Sequence, residues 1–143
     1  MEDAMINLKS GMLIFDDFMI RPHMLVRELL NVVRSQDILS CDKGAYTNIL
    51  LKPQKSANNF FTLRLFFEKK SEELEFCQMV VQDDNIVPSW EGWSMEKELQ
   101  KKEYNDIWLI KDVGYPPYIF SWGKLQSVYN AKEASSYIMI TYN

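Results

Sequence analysis

Residues 60–68 read FFTLRLFFE, and this stretch decides the fold class. Its apolar side chains recur at every second position: Phe61, Leu63, Leu65 and Phe67 alternate with Thr62, Arg64 and Phe66. A period of two is typical of a β-strand with one buried face. Strand-like segments lie on both sides, at 45–52 (stopped by Pro53) and at 74–82, and short turns separate them. The sequence therefore predicts an antiparallel meander, with Leu74, Phe76, Gln78 and Val80 on one face of its third strand.

The flanking segments complete an α+β pattern. An Asp-Asp turn inside residues 12–20 predicts a hairpin, and a helix is expected from Pro22 to Arg34, followed by a polar connection over 35–44. A second helix is expected from the N-cap Ser94 to about Asp112, with a buried stripe of Leu99, Tyr104, Ile107, Trp108 and Val113. Two closing strands are expected at 118–129 and 137–142. We therefore predict one α+β domain over 1–143, in the order ββ-α-βββ-α-ββ, with an antiparallel sheet of about six to seven strands packed against two helices.

Composition excludes several functions. The chain has 143 residues, a formal net charge of −4 and a single histidine, so a general nucleic-acid binder with a basic face is not expected. The two cysteines, Cys41 and Cys77, form no C-x-x-C motif, and we expect neither a metal site nor a cofactor. The first residues, MEDAMINLKS, show neither the basic start nor the apolar stretch of a signal peptide, and no apolar run approaches the ~20 residues of a membrane span. We therefore expect a cytoplasmic protein.

Catalytic groups are equally scarce. The five glycines are scattered, so no phosphate-binding loop is expected, and His23 lies at the predicted start of a helix. Paired carboxylates occur at Asp16-Asp17, Glu72-Glu73 and Asp83-Asp84, all at predicted turns where such groups are usually solvated. We predict that the protein is not an enzyme, although a small carboxylate-dependent enzyme remains an alternative. Trp90 and Trp93 follow the last pair and fit either a core lid or a surface anchor for another protein.

The C-terminal segment is the most distinctive. Residues 121–132 read SWGKLQSVYNAK and residues 137–142 read YIMITY. This ending resembles the W-G-x-x-x-S-x-Y-D-x-K and I-x-I-x-Y pattern of small bacterial immunity proteins from contact-dependent growth inhibition and other polymorphic toxin systems. Asn130 replaces the more usual Asp, and Ala131 stands where Pro is common.

The resemblance implies a cytosolic protein that neutralises a cognate toxin domain, often a nuclease, by binding it. A chain with net negative charge would be drawn to the basic substrate groove of such a toxin. We expect the contacts at Asp83, Asp84, Trp90 and Trp93, with Glu72 and Glu73 at the rim. Trp122, Gly123, Tyr129 and Tyr142 are interpreted as markers of the fold. A regulatory or interaction domain with a different protein partner remains the alternative.

Overall fold

The computed structural model describes residues 5–57, 59–81, 95–132 and 135–143, and for residues 95–97 it describes the main chain alone. The described elements are, in chain order, β1 (Leu13–Ile14), β2 (Met19–Ile20), α1 (Val26–Val32), a 3-10 turn (Ser35–Asp37), β3 (Ile38–Lys43), β4 (Tyr46–Ser56), β5 (Asn59–Glu68), β6 (Leu74–Val81), α2 (Met95–Asp112), β7 (Ile119–Phe120), β8 (Gly123–Asn130) and β9 (Ser135–Tyr142).

The strands form one large antiparallel sheet and one small hairpin. The large sheet has seven strands in the order β3-β4-β5-β6-β9-β8-β7, while β1 pairs with β2 in a separate two-stranded sheet. Strands β3 to β6 follow one another as a meander, and β9 returns beside β6. The predicted α+β class with an antiparallel sheet is confirmed.

The period-two pattern of β5 places the core on one face of the sheet. Phe61, Leu63, Leu65 and Phe67 are fully buried, whereas Arg64 and Phe66 lie on the opposite, open face. On that open face, Phe66 stacks on Phe76 with ring centroids 4.5 Å apart. Burying alternate side chains of neighbouring strands against helices supplies the main stabilisation of such a sheet.

The predicted face of Leu74 is wrong. Phe67 pairs with Leu74 and Phe66 pairs with Phe76, so a bulge at Glu75 shifts the register. The extra residue turns Leu74 into the core, on the same face as Cys77 and Met79. Phe76, Gln78 and Val80 lie on the open face.

Three predicted strand boundaries also need correction. The polar connection expected over 35–44 contains an edge strand, β3, and Pro53 does not end its strand, because β4 runs to Ser56. The pairing of β4 with β5 shifts between Leu51 and Gln54, and Leu51 is also the last residue of β4 that pairs with β3. Pro53 therefore lies at an unpaired position on both sides of β4, so its missing N–H costs no ladder hydrogen bond. The single strand expected over 118–129 is instead a tight hairpin of β7 and β8.

Both helices and the β1–β2 hairpin cover the inner face of the sheet. Helix α1 is shorter than predicted, because the left-handed φ of 59° at His23 delays its start until Val26. It contributes Leu29 to the core, and Phe15 and Phe18 flank the hairpin turn. Helix α2 packs against β6, β8 and β9. Among the described helices, none is long and apolar enough to cross a membrane.

Candidate functional site

The face of helix α2 that packs against the sheet carries both apolar and polar side chains. Trp108 and Leu109 enter the core, where the Trp108 ring meets the edge of Phe61 at a centroid distance of 5.4 Å. The same inner face carries two polar side chains, Glu98 and Asn105, and both are buried. The orientation of α2 is therefore set by one pair of large apolar residues and by polar contacts.

Those polar contacts attach α2 to two strands. The main-chain N–H of Val81 donates to Oδ1 of Asn105 at 3.3 Å, and the hydroxyl of Ser136 donates to the main-chain oxygen of Glu98 at 2.6 Å. A buried hydrogen bond contributes about 1 kcal/mol, and losing one partner leaves the other group desolvated at a cost of ~1–3 kcal/mol. Both contacts oppose rotation of α2 about its axis.

The opposite face of α2 presents apolar side chains to solvent. Leu99, Ile107 and Ile110 are 50%, 54% and 42% exposed, and Glu103 lies between them on the helix. Their spacing of i, i+4, i+8 and i+11 places all four on one side of a helix with 3.6 residues per turn. We call Leu99, Glu103, Ile107 and Ile110 the outer stripe.

The outer stripe contradicts part of the predicted buried stripe. Trp108 is buried as expected, and Tyr104 and Val113 pack partly against the core, but Leu99 and Ile107 point outward. The reason is that Glu98 and Asn105 occupy the inner face and hydrogen-bond to the sheet through main-chain or side-chain atoms. A signal for this exists in residues 107–110, which read IWLI, because four consecutive apolar residues span about 300° of a helix and cannot all be buried.

The charges around the outer stripe are mostly paired. Lys102 and Asp106 form an ion pair at 2.7 Å with i, i+4 spacing. Lys101 pairs with Glu98 at 3.2 Å toward the inner side. Among the described residues, the ion pairs of α2 do not include Glu103, so the outer stripe combines three apolar side chains with one carboxylate.

The predicted contact residues are not brought together with the outer stripe. Glu72 is exposed in the β5–β6 turn at a left-handed φ of 61°, and Glu73 beside it is half-buried. Their main chain lies against the start of α1, where Val26 N–H donates to the Glu72 oxygen at 3.0 Å. This turn precedes β6, whereas α2 bonds Val81 at the other end of that strand, about 25 Å away for eight residues. Asp83, Asp84, Trp90 and Trp93 lie outside the described residues.

The predicted fold markers tie the N-terminal segment to the closing strands. The indole N–H of Trp122 donates to the main-chain oxygen of Leu8 at 2.8 Å, and the Trp122 ring stacks on Phe120 with centroids 5.1 Å apart. The hydroxyl of Tyr142 donates to the main-chain oxygen of Gly11 at 3.1 Å, and burial holds its pKa well above the ordinary value.

Gly123 allows the main chains of β8 and β9 to approach closely. Its φ is 155°, and a Cβ there would lie 1.9 Å from the main-chain oxygen of Thr141. Tyr129, the fourth predicted marker, is half-buried on β8 opposite Ser136. The structure thus gives the C-terminal segment a packing role.

The groups considered for catalysis are dispersed. A ring nitrogen of His23 contacts the main-chain oxygen of Asn143, and Asp16 accepts a hydrogen bond from the main-chain N–H of Ala57 at 3.0 Å. Cys77 is fully buried, which strongly raises the pKa of its thiol. No cluster of three or more potential metal ligands occurs within the part of the chain that the structure describes.

Comparisons of this chain with known protein families, with curated proteins and with solved structures find no match.

Proposed function

We propose that this protein is a toxin-neutralising immunity protein that acts in the bacterial cytoplasm by binding its cognate toxin domain. The observation that carries the proposal is the outer stripe of α2, where three apolar side chains face solvent on a helix held by its other face. Aligned exposed apolar residues with a charged neighbour are typical of a surface that binds another protein. The C-terminal resemblance supplies the class of partner.

The energetics suit such a contact. Full burial of a leucine or isoleucine side chain contributes about 1.5–3 kcal/mol, so covering the half-exposed residues of the outer stripe would contribute roughly 1 kcal/mol each. The helix is already ordered, so little backbone entropy is lost on binding. Glu103 and the net charge of −4 favour a partner with a basic surface, such as a nuclease domain.

Co-purification with the toxin domain tests the proposal. The probe is the C-terminal toxin domain encoded in the adjacent open reading frame, expressed in a catalytically inactive form. We expect a 1:1 complex on size-exclusion chromatography and survival of cells that express the active toxin with the immunity protein. Ile107→Ser combined with Leu99→Ser should weaken the complex by at least about tenfold, the effect of ~1.4 kcal/mol.

The matched control is Leu39→Ser on the edge strand β3. Leu39 is 54% exposed, as Ile107 is, and it lies on an edge strand three positions away from β6 in the sheet, whereas α2 packs against β6, β8 and β9. This variant should bind as tightly as the wild type. Equal affinity of the Leu99/Ile107 double variant and the wild type would refute the proposed surface, and failure of the wild-type pair to co-elute would refute the proposed function.

A partner that binds through the outer stripe but has no toxic activity would favour the alternative of a regulatory interaction domain. The outer stripe supports that function as well, since it specifies a protein partner without specifying what the partner does. Growth rescue, measured beside co-elution, separates the two.

A further inference from the structure

A concave pocket of about 260 Å³ lies on the inner side of the sheet, and its lining includes no residue of α2. Its walls come from the end of α1, the 3-10 turn, the β1–β2 turn and β4. One wall is apolar and consists of Phe18, Val32 and Val33. The remaining lining residues are polar: Asp17, Arg34, Asp37 and Gln54.

The hydrogen-bond acceptors of this pocket are the carboxylates of Asp17 and Asp37 and the amide oxygen of Gln54, and its main donor is the guanidinium of Arg34. Gln54 is only 7% exposed, and its amide Nε2 donates to the main-chain oxygen of Lys52 at 3.0 Å. Only the nitrogen of the amide can donate to a carbonyl, so the orientation of the amide is fixed and Oε1 remains as an acceptor. Among the described residues nothing donates to Oε1 of Gln54, and the exposed carboxylate of Asp17 has no ion pair.

The second carboxylate of the pocket is neutralised. Asp37 accepts from the Nε–H of Arg34 at 3.2 Å, and the Asp37 side chain is largely covered. With this pair neutral, Asp17 leaves the pocket with one net negative charge. An apolar wall, one carboxylate and one buried amide oxygen together match a cation on a short methylene chain.

We propose that this pocket binds a guanidinium or alkylammonium group, with Asp17 as its counter-ion, Oε1 of Gln54 as a hydrogen-bond acceptor, and Val32, Val33 and Phe18 against its methylene groups. The ligand is the side chain of an arginine or lysine on the protein partner, which rests on the proposed function, or a free cation of the same chemistry, such as arginine or a polyamine.

Titration with n-butylguanidinium, followed by two-dimensional NMR at constant ionic strength, tests the pocket without any partner. We expect saturable shifts confined to the resonances of Asp17, Val33 and Gln54. Neutral n-butylurea, which has a similar shape, should produce none. Asp17→Asn should weaken binding about tenfold, the effect of ~1.4 kcal/mol.

The matched control is Asp42→Asn, which removes the same charge from the exposed edge strand β3. It should leave the affinity for butylguanidinium unchanged. Absence of saturable shifts, equal binding of butylurea, or equal effects of the Asp17 and Asp42 substitutions would each overturn the proposal. Because Asp17 is exposed, its variant should keep the wild-type amide spectrum elsewhere.

Two further arms identify the source of the cation. One outcome is that arginine with blocked amino and carboxyl groups binds as tightly as free arginine and spermidine do. In that case the pocket recognises only the cationic side chain, and the side chain of a protein partner is assigned as the ligand. Tighter binding of a free cation assigns the pocket to that small molecule. Binding of butylguanidinium without formation of any toxin complex would support the pocket and refute the proposed function. A toxin complex that is weakened by substitution of Ile107, without any binding of butylguanidinium, would support the proposed function and refute the pocket.

Discussion

Replacing Gly123 with alanine should destabilise the protein by roughly 2–6 kcal/mol. Gly123 begins β8 and pairs with Tyr142 on β9. A Cβ built on it would lie 1.9 Å from the main-chain oxygen of Thr141, where an ordinary contact is 3.4–4 Å. The Thr141 oxygen belongs to the main chain, and the position of a Cβ is fixed by the main chain that carries it. The strands would therefore have to separate by about 1.5 Å, which disrupts ladder hydrogen bonds made at a strand spacing of about 4.8 Å.

Two contributions add for this substitution. Overpacking of a well-packed site costs about 1–3 kcal/mol. The φ of 155° lies in a region that residues with a Cβ rarely adopt, and such strain costs about 1–3 kcal/mol. The sum of roughly 2–6 kcal/mol is a large share of a typical unfolding free energy of ~5–15 kcal/mol. We expect the melting temperature to fall by roughly 5–20 °C.

Two other glycines separate these contributions. Gly114 has a φ of 127° but open space at the Cβ position, so Gly114→Ala should show the backbone strain alone. Gly44 has neither a left-handed φ nor a neighbour within 4 Å, so Gly44→Ala should change the unfolding free energy by less than ~0.5 kcal/mol. Urea unfolding followed by circular dichroism measures all three. A loss for Gly123→Ala no larger than that for Gly114→Ala would show that β8 and β9 do not approach as closely as described.

Two further predictions concern titratable groups. The exposed Cys41 thiol should react quickly with a disulfide reagent in native buffer. Cys77 should react only on unfolding, because burial raises the pKa of its thiol and hides its sulfur. Equal reaction rates for the two thiols would contradict the burial of Cys77 in the core. The hydrogen bond from Arg21 lowers the pKa of Glu28 below its ordinary value of 4.5, so this ion pair stabilises the fold above about that pH and the contribution is lost as the pH falls through the lowered pKa. Arg21→Ala should return the Glu28 carboxyl titration, followed by carbon NMR, toward 4.5, while Arg34→Ala should leave it unchanged; an unshifted Glu28 in the first variant would refute the assignment.

A strand could be predicted from the sequence where its buried and exposed faces carry different residue types. In β5, each core position is a phenylalanine or leucine and the alternate positions include Thr62 and Arg64, so the pattern reports burial directly. The same rule fails at Leu74, because a single extra residue at Glu75 exchanges the two faces, and the sequence of β6 carries no turn residue there to mark the bulge.

Edge positions are less visible for a different reason. Strand β3 is held by main-chain hydrogen bonds to β4, and most of its side chains are exposed, so its sequence ILSCDK resembles a polar connection. Pro53 likewise reads as a strand breaker, but a proline is tolerated where no neighbouring strand needs its missing N–H. Pairing with a distant segment, which no local pattern encodes, decides both cases.

The pocket lies beyond local prediction as well. The sequence marks Asp17 as one of two turn carboxylates, but it does not place Gln54 or Asp37 beside it, since these residues come from β4 and the 3-10 turn. The bulge between Leu51 and Gln54 turns the Gln54 side chain to the inner face, opposite Phe61. A site assembled from three separate segments becomes visible only once the register of the sheet is known.

Within the described residues, no packing contact requires the outer stripe of α2 to be apolar. Packing does not require leucine or isoleucine at positions 99, 107 and 110, because the described core includes none of these side chains. Helix propensity does not require isoleucine either, since lysine or glutamate would favour the helix by a few tenths of a kcal/mol and would be better solvated. Single exposed apolar residues are common, but three on one face, opposite two buried polar residues, expose apolar surface that another surface can cover. Because the Asn105 side chain and the Glu98 main chain hydrogen-bond to the sheet from the other side, the proposed partner would meet a helix that is already ordered and would lose little backbone entropy on binding.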